Sequence, residues 1–308
     1  MADADHERPP AEALVVDVKR NSADDGPGIR TVVFFKGCPL RCIWCQNPEA
    51  LSPRAEIQRE LARCLGCGAC EPACPHGIAR PAPGREERDR CTACGACTDA
   101  CPAAARRIVG RRIGVDALAE MLLADEPFYR HSGGGITLSG GEPAMFPAFA
   151  GALAARCREA GVHVLVETCG HFDWPAFERE LLPHVSAIYF DLKIADEQAH
   201  RRYTGRSNRR ILENLDRLCG FADLLPRVPL VPGITDSQAN LSAIARLLVE
   251  RGLKRVALLP YNPLWLSKRE ALGMELDYAC DSFMHAEEIE RCRRVFEEAG
   301  VTVASGAP

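Results

Sequence analysis

The chain has 308 residues, 47% of them hydrophobic and 26% charged, with a formal net charge of −4. That length supports one large α/β domain with a small insert and a substantial buried core. A slightly acidic chain excludes the basic face that a nucleic-acid partner would need, and no apolar run approaches the roughly 18–20 residues of a membrane span.

Residues 1–13, "MADADHERPPAEA", are acidic and polar and lack the basic start and apolar core of a signal peptide, so they are expected to form a disordered tail. Without an export signal, the sixteen cysteines are expected as free thiols in a reducing compartment, the cytoplasm, rather than as disulfides. "ALVVDV" and "TVVFF" read as strands. The second runs into "FFKGCPLRCIWCQNPE", which places Cys38, Cys42 and Cys45 in a C-x3-C-x2-C spacing with no fourth cysteine nearby. A 4Fe–4S cluster held by three thiolates leaves one iron without a protein ligand, free to bind a small molecule.

Next come "CLGCGACEPACP" from Cys64 and "CTACGACTDACP" from Cys91, each C-x2-C-x2-C-x3-C-P. This is the spacing of two-cluster ferredoxins, in which three thiolates of one run and the fourth of the other hold each cluster. Cys64, Cys67, Cys70 and Cys101 are thus expected around one cluster, and Cys91, Cys94, Cys97 and Cys74 around the other. Zinc sites also use C-x2-C pairs, but zinc needs neither the trailing Cys-Pro nor the duplication. Small residues between the ligands (Gly66, Gly68, Ala69, Gly95, Ala96) allow a tight fold with N–H groups aimed at sulfur, and "RPAPGREERDR" between the copies reads as a surface linker. The division expected is 14–57 for the first part of the main domain, 58–106 for the insert and 107–308 for the remainder.

Beyond the insert, the runs "GITLS", "VHVLVE", "AIYFDLK", "PRVPLVPG" and "RVALLPY" read as strands alternating with helical patterns. Leu241, Ile244, Ala245 and Leu248 follow helical spacing, with Asp236 and Ser237 available as caps. Gly161, Gly252 and Gly300 are placed as left-handed helix C-caps before strands. Alternation of this kind means a mainly parallel sheet with chemistry at the C-terminal strand ends. Polar motifs fall there: "SGGEP" after "GITL", with Gly140 and Gly141 for close backbone approach and Glu142 to pair with an ammonium; "ETCG", with Glu167 and Thr168; and "DLK", with Asp191 and Lys193. A phosphate cradle is the other reading of the glycines, but the Lys-Ser/Thr of a P-loop is absent. The scattered Cys157, Cys169, Cys219, Cys280 and Cys292 are expected to be small core residues.

C-x3-C-x-aromatic-C, with Trp44 before the last cysteine, resembles the signature of the radical S-adenosylmethionine enzymes. That resemblance implies a partial β/α barrel of about six strands, the cysteine loop after the first, and an inserted small ferredoxin-like domain. It also implies an open iron that chelates S-adenosylmethionine, and an electron that cleaves it to methionine and a hydrogen-abstracting 5′-deoxyadenosyl radical. Together "DGPGIRTVVFFKGCPLRCIWCQNPE", "GGGITLSGGEP", "ETCG", "DLK", "HRRYTG", "RVPLVPG" and "LLPYN", from about Val16 to Tyr261, resemble the glycyl-radical-enzyme activating enzymes that carry a two-cluster insert.

The narrower resemblance implies three 4Fe–4S clusters, with Cys38, Cys42 and Cys45 on the catalytic one. Trp44 would contact the adenine through its backbone, and Gly140, Gly141 and Glu142 would receive the methionine ammonium. Lys193 would contact the carboxylate, and Asn262 stands where a relative has a histidine near the ribose. Glu167, Thr168 and Asp191 match a monovalent-cation site, although the family's Asp is Glu167 here and an asparagine is common at Cys169. Asp25 and Arg227 match positions that grip a glycine loop of the partner, a glycyl radical enzyme. An external donor such as flavodoxin or ferredoxin is implied for the insert clusters, with relay or docking as their role. Two other readings are a radical enzyme acting on a small molecule, which would have less reason for "DGPGIR" and the paired insert, and a pure electron carrier, which would leave the barrel unexplained.

Overall fold

A computed structural model describes residues 12–79 and 88–304. Its strands are β1 (Glu12–Ser22), β2 (Arg30–Phe35), β3 (Glu56–Arg59), β4 (Arg106–Val109), β5 (Arg111–Gly114), β6 (Gly135–Gly140), β7 (His163–Thr168), β8 (Ala187–Asp191), β9 (Leu224–Leu230), β10 (Arg255–Pro260) and β11 (Thr302–Val303). Nine of them form one sheet in the order β11-β10-β9-β8-β7-β6-β2-β1-β5. From β2 to β11 every pairing is parallel, with helices packed in the crossovers, among them Pro147–Glu159, Glu197–Thr204, Arg209–Leu218 and Gln238–Glu250. Parallel strands covered by helices are buried on both faces and read as continuous apolar runs. Hence β6 is almost entirely buried and β2 nearly so.

Six parallel strands, β2 and β6 to β10, make the partial barrel, and the cysteine loop leaves the first of them. The structure extends the expectation in three places. "ALVVDV" lies in β1, which runs antiparallel to β2 and β5 at the edge. The first two residues of β1, Glu12 and Ala13, fall within the expected tail but pair with Gly114 and Ile113; the rest of that tail lies outside the described residues. The insert hangs on an antiparallel ribbon, β3–β4, that the apolar pattern does not announce.

Local signals behave as read. Gly161, Gly252 and Gly300 have φ of 75°, 69° and 81°. The next N–H in each case returns to a carbonyl in the last helical turn, at 2.9 Å for Val162 to Cys157, Leu253 to Leu248 and Val301 to Phe296. Leu241, Ile244, Ala245 and Leu248 are buried, and Ser237 caps their helix by accepting from the Asn240 N–H. Asp236 instead accepts from the Gly233 N–H and pairs with Arg291. Cys157, Cys169 and Cys292 are buried as expected, whereas Cys219 and Cys280 are partly exposed. No described helix is long and apolar enough to cross a membrane.

Candidate active site

Register brings the C-terminal strand ends level. Phe35 pairs with Gly140, Thr168 with Phe190, and Asp191 with Arg227. Above them lies a cavity of about 410 Å³ whose lining includes Cys38, Cys42, Cys45, Trp44, Gly140, Gly141, Lys193 and Asn262. This volume suits a small cofactor.

The cysteine loop is held from two sides. The Arg41 and Ile43 N–H groups donate to the carbonyls of Thr204 (2.7 Å) and Tyr203 (3.2 Å), which explains the "HRRYTG" motif at the end of its helix. On the other flank, helix Trp265–Ala271 sends Arg269 to the Ile43 carbonyl (2.7 Å) and Lys268 to the Gln46 carbonyl (3.0 Å) and Glu49 (2.8 Å). The sequence reading missed this clamp, because nothing local in "LSKREA" points to a loop some 220 residues away.

Burial pushes the Cys42 thiol up to about 12 and raises Cys45 as well. Cys38 is held below its ordinary value by a hydrogen bond from Cys169, against the effect of burial. Metal binding would release the raised pair as thiolates, since iron stabilises the charge that burial opposes. Cys169 is buried as a core residue would be, yet it also lines the cavity beside Cys38.

The "SGGEP" turn lies against the cysteine loop. A Cβ on Gly141 would come within 2.1 Å of the Gly37 carbonyl oxygen, so only glycine allows the approach. The Glu142 carboxylate is fully buried and does not reach the cavity lining. It accepts from the Ala144 N–H (3.1 Å), the Thr168 hydroxyl (2.9 Å) and the Cys169 N–H (2.7 Å), fastening "SGGEP" to "ETCG".

Four charges from neighbouring strand ends form one network. Arg227 donates to Glu167 at 2.5 Å and to Asp191 at 2.9 Å, its guanidinium 5.3 Å from the Tyr189 ring centroid. Lys193 reaches Asp191 at 3.1 Å, and the Ser139 hydroxyl donates to Glu167 at 2.6 Å. Burial opposes the Asp191 charge, but Arg227 and Lys193 more than offset it and hold its pKa below the usual carboxylate value. Lys193 keeps its proton for the reciprocal reason: burial lowers its pKa, while Asp191 and Cys42 raise it further. The expected monovalent-cation site does not fit this arrangement. Arg227 already bridges Glu167 and Asp191, and the Thr168 hydroxyl serves Glu142.

Asp25 also lines the cavity, and its carboxylate accepts from Ser22 and from Lys19 (3.3 Å). Its carbonyl accepts from Thr137 at 2.7 Å, and the buried Arg30 donates to that same hydroxyl at 2.6 Å. Arg30 thereby pins the "DGPGIR" loop onto β6, a role the sequence reading did not assign.

In the insert, one cavity of about 40 Å³ is lined by Cys64, Cys67, Cys70 and Cys101. A second, of about 60 Å³, is lined by Cys74, Cys91 and Cys97. The two linings keep the two expected cysteine sets apart, with the exposed Cys94 outside the second lining. Burial raises Cys74, but the N–H groups of Ile78, His76, Ala79 and Gly77 together outweigh it and bring the thiol below its ordinary value, the cradle a cluster thiolate needs. Among the described residues, no group of three or more His, Cys, Asp or Glu converges tightly enough for a single ion. Arg59 Nη1 and Arg88 Nε, both on the second cavity, are buried without a hydrogen-bond partner. Arg59 is buried as a whole, whereas Arg88 is half-buried and also donates to the Leu272 carbonyl. Guanidinium nitrogens without partners beside thiols fit an anionic cluster, so the residues present suit the group.

The chain matches the Radical SAM superfamily over residues 88–257, a 4Fe-4S dicluster domain over 63–106 and a 4Fe-4S single cluster domain over 24–78. It is 36% identical over 299 residues to the choline trimethylamine-lyase activating enzyme of Oleidesulfovibrio alaskensis, an alignment that covers 93% of this chain and 96% of that protein. It is 42% identical over 265 residues to the isethionate sulfite-lyase activating enzyme of the same organism, covering 83% and 85%. A radical SAM methyltransferase from Sphaerobacter thermophilus, 17% identical, shares the fold with a TM-score of 0.53 over 96% of this chain and 78% of that one. Cluster cysteines, a cofactor-sized cavity at the strand ends and full-length relatives of one kind converge: the chain belongs to the glycyl-radical-enzyme activating enzymes of the radical S-adenosylmethionine superfamily.

Proposed function

We propose that the chain uses three 4Fe–4S clusters, one on Cys38, Cys42 and Cys45 and two in the insert, to activate one glycyl radical enzyme, with residues 58–106 as the electron-carrying unit. The observation that carries this reading is the convergence of the three cysteines, the glycine turn and Lys193 on one cavity. When bound there, the cluster and S-adenosylmethionine supply one reducing electron and a 5′-deoxyadenosyl group that takes a hydrogen atom.

The protein's own residues do the positioning. Gly140 and Gly141 bring backbone close to the methionine ammonium, and Glu142 fixes their turn from behind rather than touching the ligand. Lys193, kept cationic by Asp191, takes the carboxylate. Trp44 and Asn262 flank the nucleoside side of the cavity, where the Gln46 amide donates to the Asn262 carbonyl at 3.2 Å. Asp25 and the Arg227 network stand where a partner's glycine loop would enter. Glycine suits abstraction because no side chain blocks its α-carbon.

A low-potential donor such as flavodoxin or ferredoxin would meet the insert at its outer cavity, beside the exposed Leu61 and Leu65. The second cavity, lined by Glu56 and Leu272, faces the main domain, which supports a relay inward. Free thiols and iron clusters fit a reducing cytoplasm.

A partner enzyme carrying α-dideuterated glycine tests the reaction. The expected 5′-deoxyadenosine contains one transferred deuterium per activation event. Unlabelled 5′-deoxyadenosine from an activated partner would overturn glycine as the hydrogen source and favour a small-molecule substrate.

A further inference from the structure

Strands β3 and β4 place Arg59 directly opposite Arg106. Like charges facing each other across an antiparallel pair are destabilising, and here one of them is buried. Arg59 is 5% exposed, and its Nη1 has no hydrogen-bond partner. Leaving a desolvated cation unpaired is strongly unfavourable in an ordinary interior. The position makes sense only if negative charge arrives next to it.

Both insert cavities supply that charge. Arg59 lines the one formed by Cys64, Cys67, Cys70 and Cys101 and also the one formed by Cys74, Cys91 and Cys97. Arg106 lines both too, but it is half-buried and donates to the Ala79 carbonyl, so Arg59 is the buried cation between them. A 4Fe–4S cluster with four thiolates is an anion, and each added electron makes it more negative. Resting on the reading that the insert holds two such clusters, we propose that Arg59 is the shared counter-charge between them, which sets both reduction potentials and makes them accept electrons more readily. Arg88 lines the second cavity alone and biases that cluster only. Arg59 and Arg106 are common to both linings, and each lining holds one glutamate, Glu60 in the first and Glu56 in the second. Arg88 therefore leaves the cluster nearer the main domain facing more positive charge, and an electron entering from a donor protein runs inward and is stored beside the catalytic site.

The experiment is a potentiometric titration followed by electron paramagnetic resonance, on the full chain with Cys38, Cys42 and Cys45 all replaced by Ala so that only the insert signals remain. Arg59→Gln is expected to lower both midpoints, each by at least a tenfold change in the reduced-to-oxidised ratio at fixed potential, about 59 mV for a one-electron couple. Arg59→Lys keeps the charge and should leave both near the parent values, whereas Arg88→Met should move one only. Unchanged midpoints in Arg59→Gln, or a shift of a single cluster, would overturn the inference. So would an equal shift in Arg59→Lys, which would point to packing. If Arg59→Gln retains no iron, the lysine variant decides: retention supports the counter-charge, and loss overturns it. A parent protein that does not load two four-iron clusters would instead refute the cluster reading itself, and the inference with it.

Discussion

Cys42→Ala is expected to abolish 5′-deoxyadenosine formation while leaving the insert clusters intact. Cys42 is buried in the lining of the cavity, and no other thiol of the C-x3-C-x2-C loop can move into its place without breaking the backbone ties to Thr204 and Tyr203. Loss of a ligand from an already three-coordinate set should exceed the roughly 10–100-fold effects of outer-shell changes around a metal. The insert cysteines line separate cavities and share no residue with this site. Iron analysis should therefore show a loss of about four iron atoms per chain, with the insert resonances unchanged. Removing a thiol that burial holds protonated at about 12 should not harm the cluster-free fold. A variant that keeps all its iron and still cleaves S-adenosylmethionine would contradict the ligand assignment.

The second large effect is expected at Arg227. Its guanidinium is 8% exposed on the side chain and bridges two carboxylates. Removing one partner of a buried pair costs about 3–5 kcal/mol, because the remaining charge is left without compensation. Arg227→Met leaves Glu167 without its ion pair and Asp191 with Lys193 alone. Calorimetry should show Tm lowered by roughly 5–8 °C. Adding Asp191→Asn and Glu167→Gln should recover much of the loss, since a neutral set has no stranded charge, yet activity should stay low because Lys193 loses its anchor. The same network gives a pH signature. The folded pKa of Asp191 is depressed, so its stabilisation is complete above about pH 4, its unfolded value, and fades as pH falls through the lower folded value. Asp191→Asn should flatten that acid limb. An Arg227→Met protein as stable as the parent would show that the bridge contributes nothing net.

What the sequence discloses about this protein follows the range of the interactions concerned. The glycine C-caps are read correctly, and the 4Fe–4S family character of the three-cysteine loop and the paired ferredoxin runs is legible, because each depends on residues a few positions apart. The parallel strands emerge as apolar runs for a comparable reason: burial on both faces removes polar residues from them. The Arg227 bridge is set by strand register between β7, β8 and β9, which no short window contains. Lys268 and Arg269 reach the cysteine loop from the far end of the chain. The ribbon β3–β4 carries Arg and Glu in place of an apolar alternation, so its strand character stays hidden until the clusters it flanks are placed. Glu142 shows a subtler limit: the motif marks it as important, but only the structure reveals a carboxylate spent on three internal hydrogen bonds.

The central claim is that this cavity directs one electron into removal of a hydrogen atom from a partner's glycine. The most direct measurement is anaerobic electron paramagnetic resonance of the reconstituted protein with dithionite, S-adenosylmethionine and a panel of glycyl radical enzymes, with 5′-deoxyadenosine quantified in the same tubes. The expected result is a doublet, split by the single hydrogen left on the glycine α-carbon, that grows in step with 5′-deoxyadenosine for one partner. Formation of 5′-deoxyadenosine without a doublet in any partner would contradict the claim and assign the hydrogen to a small molecule.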